Sequence, residues 1–299
     1  MMKTEAIAAF VAIVESGSIV EAAKRLRLSK SVVSERLSEL EKSLGAVLLH
    51  RTTRKLTLTE DGAAFLDRAR RILGEIRDAV ADMSERRGTL AGPLRLSAPV
   101  TFGRMHLGPA LYDFAREHPE LELTLDMDDR RVDAGSDGFD AVIRHGSIAD
   151  SRLIAWKLAP SQRLLLASKD YLERFGTPRE LEDLSNHRGL FYTNRGVSDW
   201  RFETENGPVV VRAKPAMVVN NGDMLRDAAM AGLGLVLLPT FIAGADIREG
   251  RLQVVELAQK AEQEYVYMAH PQGRAAPAKL RAVVEHLRAC FGDPPYWDV

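Results

Sequence analysis

Between Lys24 and Lys55 the chain carries nine lysines and arginines, at positions 24, 25, 27, 30, 36, 42, 51, 54 and 55, against three glutamates at 35, 39 and 41. The whole chain of 299 residues has a net charge of −1. A cationic patch confined to one short segment is the electrostatic footprint of a nucleic-acid site, and its chemistry is recognition of phosphates and bases. Within it, Lys30, Ser31, Ser34, Glu35, Arg36 and Ser38 are short polar or charged side chains at helical spacing. Such side chains reach base edges without blocking the groove. Arg51, Arg54 and Lys55 lie in Val47–Thr59, two extended runs around a basic turn. That pattern predicts a hairpin, or wing, that carries charge to phosphates or a minor groove. A solvated polar helix face is the plain alternative for the helix taken alone.

Patterns for bond-making chemistry are sparse. The seven histidines, at 50, 106, 118, 145, 187, 270 and 286, are scattered without H-x-x-x-H spacing, and the single cysteine, Cys290, excludes C-x-x-C. Gly232-Leu233-Gly234 lacks the third glycine of a dinucleotide fingerprint and follows a predicted helix. No G-x-S-x-G or G-K-S/T run occurs. Asp126, Asp128 and Asp129 resemble paired carboxylates but read better as a solvated loop. No catalytic residue, metal or cofactor is therefore assigned, and no enzyme activity is expected.

The cationic residues need a scaffold. Ser18 with Glu21 reads as a capping box opening a short helix with Ala22, Ala23 and Leu26 on one side. Arg27–Lys30 then form a tight turn, and Ser29 or Ser31 caps the next helix. There Val33, Leu37, Leu40 and Leu44 make one apolar stripe, with Gly45 as the stop. Upstream, Ile7, Phe10, Val11 and Val14 predict an amphipathic helix over Thr4–Ser16. Residues 1–58 are thus expected to form a three-helix corner with a wing. Residues 59–87 read as one long helix whose seam, Phe65, Ala69, Ile72, Ile76, Ala79 and Met83, has heptad spacing. The functional reading is dimerisation, and the alternative is packing on the chain's own C-terminal domain.

Gly88–Pro93 interrupts helical periodicity and marks a domain boundary. Beyond it, strands are predicted at Leu94–Ser97, Leu121–Leu125, Asp140–Ile143, Ile154–Leu158, Leu164–Ala167, Leu190–Tyr192, Met217–Val219, Leu235–Leu238 and Tyr265–Met268. Helices are predicted at Met105–Glu117, around Tyr171, at Met224–Ala231 and at Ala276–Ala289. This alternation argues for α/β layers with mostly parallel pairing. No apolar run approaches a membrane span and no signal peptide opens the sequence. With one cysteine, Cys290, which reads as a half-buried small hydrophobe, a cytoplasmic location is expected.

The run L-S-K-S-V-V-S-E-R-L-S-E-L-E-K-S-L-G-A-V-L-L-H-R-T-T-R-K-L-T-L-T-E-D-G, ending at Gly62, resembles the signature of LysR-type transcriptional regulators. The matching features are the L-S-x-S start, Ser34, Leu40-Glu41, Leu44-Gly45, Arg51-Thr52-Thr53-Arg54 and Leu58-Thr59 with Gly62. The resemblance implies that Lys30, Ser31, Ser34 and Arg36 face bases or phosphates and that Arg51, Thr53 and Arg54 serve the wing. Glu35 departs from the family, which commonly has a basic residue there. It is expected to shape sequence preference, by accepting from a cytosine amino group, and to add nothing to general affinity.

Weaker phrases continue the resemblance: G-P-L-R-L-S-A-P, F-G-R-M-H-L-G-P-A-L, F-D-A-V-I-R-H-G, A-S-K-D-Y-L and D-A-A-M-A-G-L-G-L-V-L-L-P. They imply a two-lobed effector domain over 88–299, similar to periplasmic solute-binding proteins. Lobe I would be 92–160 with 267–299, lobe II 161–266, and two crossing strands the hinge. In such open sheets ligands sit beyond the carboxyl ends of strands. That selects Ser97, Val100, Thr101 and Phe102 after one strand and Asp128 after another. It also selects Arg144, Asn194 within Tyr192–Arg195, and Asn220. Thr101 and Arg144 could hold a carboxylate together.

The expected fold is therefore α/β with an all-α N-terminal part: winged helix-turn-helix, linker helix, and two-lobed periplasmic-binding-protein-like domain. The expected function is sequence-specific binding of double-stranded DNA, modulated by a small-molecule effector, in a homodimer or homotetramer and without a membrane partner. Two alternatives stand beside it. One is a solute-binding or catalytic α/β protein with an incidental basic helical bundle, and the other a ligand-independent architectural DNA-binding protein.

Overall fold

The computed structural model describes residues 2–51, 56–85, 89–130, 138–146, 153–198, 200–271 and 277–298. Two compact units result, the first ending at Gly92 and the second beginning at Pro93.

The first unit opens with helices α1 (Thr4–Ser16), α2 (Ile19–Leu26) and α3 (Lys30–Leu44). Gly17 ends α1 at φ 64, a left-handed stop that glycine adopts without steric cost. Ser18 caps α2, but its hydroxyl accepts the Val20 N–H, and Glu21 pairs with Lys24 at 2.7 Å instead of reaching back, so the expected capping box does not form. Arg27 carries the chain through the left-handed region at φ 53. Ser29 then caps α3 by accepting the Val32 N–H at 3.3 Å. Phe10, Ile13, Ala22, Val33, Leu37 and Leu40 close the core. The apolar stripe of α3 stops there, because Leu44 is exposed.

Strands β1 (Leu49–Arg51) and β2 (Leu56–Leu58) pair antiparallel with Arg51 opposite Leu56, as the wing reading requires. The wing's expected tip, with Thr53, Arg54 and Lys55, lies outside the described residues. Glu41 on α3 fixes the wing's base by accepting the N–H groups of Leu48 and Leu49. Helix α4 (Glu60–Glu85) follows, capped by the Thr59 hydroxyl, which accepts the Gly62 N–H at 2.8 Å and donates to the Val47 carbonyl at 2.7 Å. Gly62 is there for space: a Cβ would stand 2.0 Å from the Leu48 carbonyl oxygen.

The seam of α4 divides. Ala69 is fully buried, and Phe65 and Ile72 pack beside it against the unit's own core, with Phe65 5.8 Å from the Phe10 ring. The first half of the seam expected to face a second subunit is thus satisfied within the chain, and its partner is the helical corner. Ile76 and Ala79 are exposed, and Met83's side chain lies outside the described residues.

The second unit holds two five-stranded sheets. The first comprises β3 (Gly92–Ala98), β4 (Leu121–Met127), β5 (Ala141–Gly146), β6 (Leu153–Ser161) and β14 (Glu264–Pro271), in the order β4-β3-β5-β14-β6. The second comprises β7 (Arg163–Ala167), β8 (Arg188–Tyr192), β11 (Lys214–Val219), β12 (Leu235–Pro239) and β13 (Gln253–Val254), in the order β11-β8-β12-β7-β13. Pairing is mixed and not mostly parallel. β14 runs antiparallel to β5 and β6, and β7 antiparallel to β12 and β13, while β3–β5, β8–β11 and β8–β12 are parallel. The antiparallel strands are those carrying the chain between sheets: β6 leads into β7, and β14 returns paired with β6 from Glu264–Ser161 to Pro271–Leu153.

The helix expected from Met105 begins earlier. After β3 come α5 (Val100–Phe102), a π-turn (Gly103–Leu107) and α6 (Gly108–Glu117) without a break. Helices α7 (Lys169–Phe175), α8 (Gly222–Met230) and α10 (Ala278–Phe291) match the periodic segments. A β9 (Arg201–Thr204) and β10 (Gly207–Val210) hairpin and helix α9 (Thr240–Arg248) had no sequence counterpart. Cys290 is exposed, contrary to its reading as a half-buried hydrophobe. The chain's last segment packs under α9. Trp297 is buried, and its carbonyl oxygen lies 2.2 Å from where a Cβ on Gly244 would be.

Candidate nucleic-acid interface and ligand site

In the first unit, burial of Val33, Leu37 and Leu40 turns the opposite side of α3 outward. Lys30, Ser31, Glu35 and Ser38 are exposed, and Ser34 and Arg36 are half-buried beside them. Several surface acids and bases of this unit pair with one another: Lys3 with Glu39, Lys24 with Glu21, and Arg25 with Glu15. On α3, Lys30, Glu35 and Arg36 make no ion pair among the described residues. Ser38 is bound within the helix, donating to the Ser34 carbonyl, and Ser31 pairs with Ser29. The face therefore offers two cations, one anion and short hydroxyls on a helix anchored by its own core. Such a surface can bind phosphates through charge and base edges through directed hydrogen bonds. Arg51 ends β1, and Thr53 and Arg54 fall outside the described residues.

In the second unit, most expected ligand residues gather where the end of β3, the segments after β3 and β4, and strand β5 meet the segment after β8. Ser97 is buried and its hydroxyl accepts from Arg144 Nη2 at 3.0 Å. Arg144 also donates to the carbonyls of Ile143 at 2.7 Å and Arg130 at 3.3 Å. Burial lowers the pKa of this guanidinium, which stays cationic. The Val100 N–H donates to the Asp129 carboxylate at 3.0 Å, and Thr101 Oγ1 donates to Asp223 at 3.1 Å. Asn194 donates to the Asp129 carbonyl at 2.8 Å. Three expected residues stand apart. Phe102 is buried among Phe241, Phe291 and Trp297, a core position that cannot touch a ligand in the seam. Asp128 is taken by Arg130 at 2.6 Å. Asn220 is exposed, while its neighbour Asn221 caps α8.

A second group binds the two sheets beside this seam. Arg195 makes a two-pronged contact with the buried Glu264, with Nη2 at 2.8 Å, and also reaches His145 Nδ1 at 3.2 Å. His145 Nε2 lies 2.9 Å from Glu264. Burial alone would raise the Glu264 pKa. The His145 contact and the charges of Arg195 and Arg163 outweigh it and hold the carboxyl well below its usual range. Burial lowers the His145 pKa, so the imidazole is neutral, with Nδ1 accepting from Arg195. Across the seam, Arg104 meets Asp223 at 2.9 Å. From the sequence, Arg195 falls in the ligand-side segment Tyr192–Arg195, Asp129 in a solvated loop, and His145 among scattered histidines. Asp223, Arg104 and Glu264 were missed, because the contacts that place them at the seam join residues 69 to 122 positions apart. Among the described residues, no group of three or more histidines, cysteines or acids could hold a metal ion, and no helix is long and apolar enough to cross a membrane.

Comparison with known proteins identifies both units. Residues 4–63 match the family described as "Bacterial regulatory helix-turn-helix protein, lysR family", and residues 87–291 match "LysR substrate binding domain". An HTH-type transcriptional repressor of Pseudomonas aeruginosa is 35% identical over 99% of this chain and 94% of its own length. The solved structure of CrgA, a LysR-type transcriptional regulator from Neisseria meningitidis, is 31% identical, covers 96% of this chain and 99% of its own, and has a TM-score of 0.59. A full-length OxyR structure from Pseudomonas aeruginosa, at 17% identity, covers all of this chain and 99% of its own with a TM-score of 0.76, and speaks for the fold alone.

Proposed function

Since this chain belongs to the LysR family of DNA-binding transcriptional regulators with a substrate-binding effector domain, we propose that α3 is its recognition helix and the seam between its two sheets its effector site. The observation that carries the first half is the outward, hydroxyl-lined face of Lys30, Ser31, Ser34, Glu35, Arg36 and Ser38, on which Lys30, Glu35 and Arg36 make no ion pair among the described residues, opposite the buried Val33, Leu37 and Leu40. Lys30 and Arg36 supply phosphate contacts, the serines and Glu35 read bases, and Arg51, Thr53 and Arg54 extend the contact through the wing.

The effector contacts are Ser97, Val100, Thr101 and Arg144 from the first sheet's loops and Asn194 from the second's. Ligand that prefers one arrangement of the lobes shifts the population toward it, and through it the DNA-bound form. Two or four copies assemble through the exposed end of α4, around Ile76 and Ala79, placing two recognition helices on half-sites one or two helical turns apart. The protein works in the cytoplasm, where the DNA is.

Footprinting on the DNA adjoining the protein's own gene tests this reading. Expected is a protected two-fold site whose affinity falls when Lys30 is replaced by alanine, with the salt slope of binding reduced by about one. Equal affinity for that DNA and random duplex refutes it. Catalysis has no support in the arrangement of residues.

A further inference from the structure

We propose that the seam takes a small zwitterion, its carboxylate on the Arg144 guanidinium and its ammonium on the Asp129 carboxylate. This rests on the seam being the effector site and goes further by naming the ligand's chemistry.

Among the described residues in the seam, Arg144 and Asp129 stand out for making no ion pair, whereas their charged neighbours do. Asp128 has Arg130 at 2.6 Å, Asp223 has Arg104 at 2.9 Å and Arg226 at 3.5 Å, and Glu264 has Arg195. Arg144 is held only by neutral acceptors, the Ser97 hydroxyl and the carbonyls of Ile143 and Arg130. Asp129 accepts only the Val100 N–H. Neither has an ion-pair partner among the described residues, and both are half-buried. Arg144 lies on β5 and Asp129 just after β4, and both are tied to the chain around the end of β3. Arg144 bonds to residues 97 and 130, and Asp129 to residue 100.

Half-burying an uncompensated charge is costly, and one cation and one anion remain. Each keeps spare capacity. Guanidinium has five N–H donors, three of them used here, and a carboxylate accepts from about four directions, one of them used. Burial, then Asp128 and Asp223, raise the Asp129 pKa against the opposing Val100 N–H and Arg144 charge, and a bound ammonium would favour its anion. A lone carboxylic acid leaves Asp129 facing it, and a dianion does so more strongly. A lone amine leaves Arg144 opposed. A molecule with both groups compensates both.

Titration calorimetry on the full chain tests this. The probes are the twenty L-amino acids, β-alanine and 4-aminobutyrate, each beside its N-acetylated or deaminated acid and its decarboxylated amine. Expected is binding by at least one zwitterion and none or far weaker by its single-charge relatives. Asp129→Asn and Arg144→Gln should each raise Kd about tenfold to a hundredfold, and Arg144→Lys should recover part of it. Unchanged melting curves establish that the variants fold, and because Asp129→Asn is isosteric it stays informative if Arg144→Gln does not fold. If deaminated acids bind as well as amino acids, and lose affinity with Arg144→Gln but not Asp129→Asn, the zwitterion falls and the effector seam stands. Binding indifferent to both substitutions overturns both readings. Absence of binding by every probe overturns the zwitterion.

Discussion

Gly62→Ala sets two physical effects of opposite sign against each other. Alanine in a helix interior is favoured over glycine by up to about 1 kcal/mol, so propensity alone predicts a more stable protein. The geometry predicts the reverse. The added methyl would stand 2.0 Å from the Leu48 carbonyl oxygen and 3.1 Å from Leu58 Cδ2. That carbonyl is backbone, is already bonded by the Thr59 N–H at 3.0 Å, and begins the wing, so it cannot swing aside as a side-chain end could. Overpacking of this kind costs about 1–3 kcal/mol, and with a backbone contact this short the cost lies toward the upper end, leaving a net loss of up to roughly 2 kcal/mol after the full helix gain. For a domain of this size that corresponds to a melting point lower by up to about 15 °C. The assay has an internal control. All three tryptophans, Trp156, Trp200 and Trp297, lie beyond Pro93, so fluorescence follows the second unit while far-UV circular dichroism follows both. Expected is a dichroism transition moved down, an unmoved fluorescence transition, and weaker binding to promoter DNA, because the wing's base is displaced. A dichroism transition that stays or rises would refute the claim that this contact governs where α4 leaves the wing.

Three further outcomes are expected. Replacing Glu35 by alanine should reorder the affinities of operator variants while leaving general affinity within about threefold, read by fluorescence anisotropy; an unchanged order removes Glu35 from base reading. Burial lowers the pKa values of His106, His145 and His187 below the ordinary 6.5, so the fold holds them neutral while the unfolded chain protonates them. Stability from these groups is complete above pH 6.5 and is lost as pH falls below it. The tryptophan-monitored melting point should decline over that range, and a flat profile contradicts the assignment. Gly244→Ala should lower that same melting point, by about 1–3 kcal/mol of stability, because its methyl meets the Trp297 carbonyl.

What was legible in the sequence was what local chemistry determines. Ser29, the Val33-Leu37-Leu40 stripe and Gly45 define α3 within one window, and the wing's register follows from adjacent runs. Periodicity said that α4 is amphipathic but not what it packs on. Ala69 turned out to be buried by α4's own chain, since a heptad seam looks the same to a second subunit and to a neighbouring helix. Phe102 was misassigned for a related reason: a residue just after a strand's carboxyl end can turn toward core or seam, and the aromatic side chains that claim it lie 139 or more positions downstream. The charge network around Glu264 could not be read because its members are contributed by three distant segments.

Strands β6 and β14 pair from Ser161–Glu264 to Leu153–Pro271, with one register shift between Val266 and Tyr267, and they carry the polypeptide between the two sheets. A paired ribbon behaves like a leaf spring. Sliding one strand against the other by a residue would turn every side chain to the wrong face, so shear is forbidden, whereas bending and twisting leave the ladder intact. Opening and shutting of the two halves is thereby reduced to flexing about a single strip, with a restoring force, and a signal entering the crevice has one mechanical coordinate along which to travel.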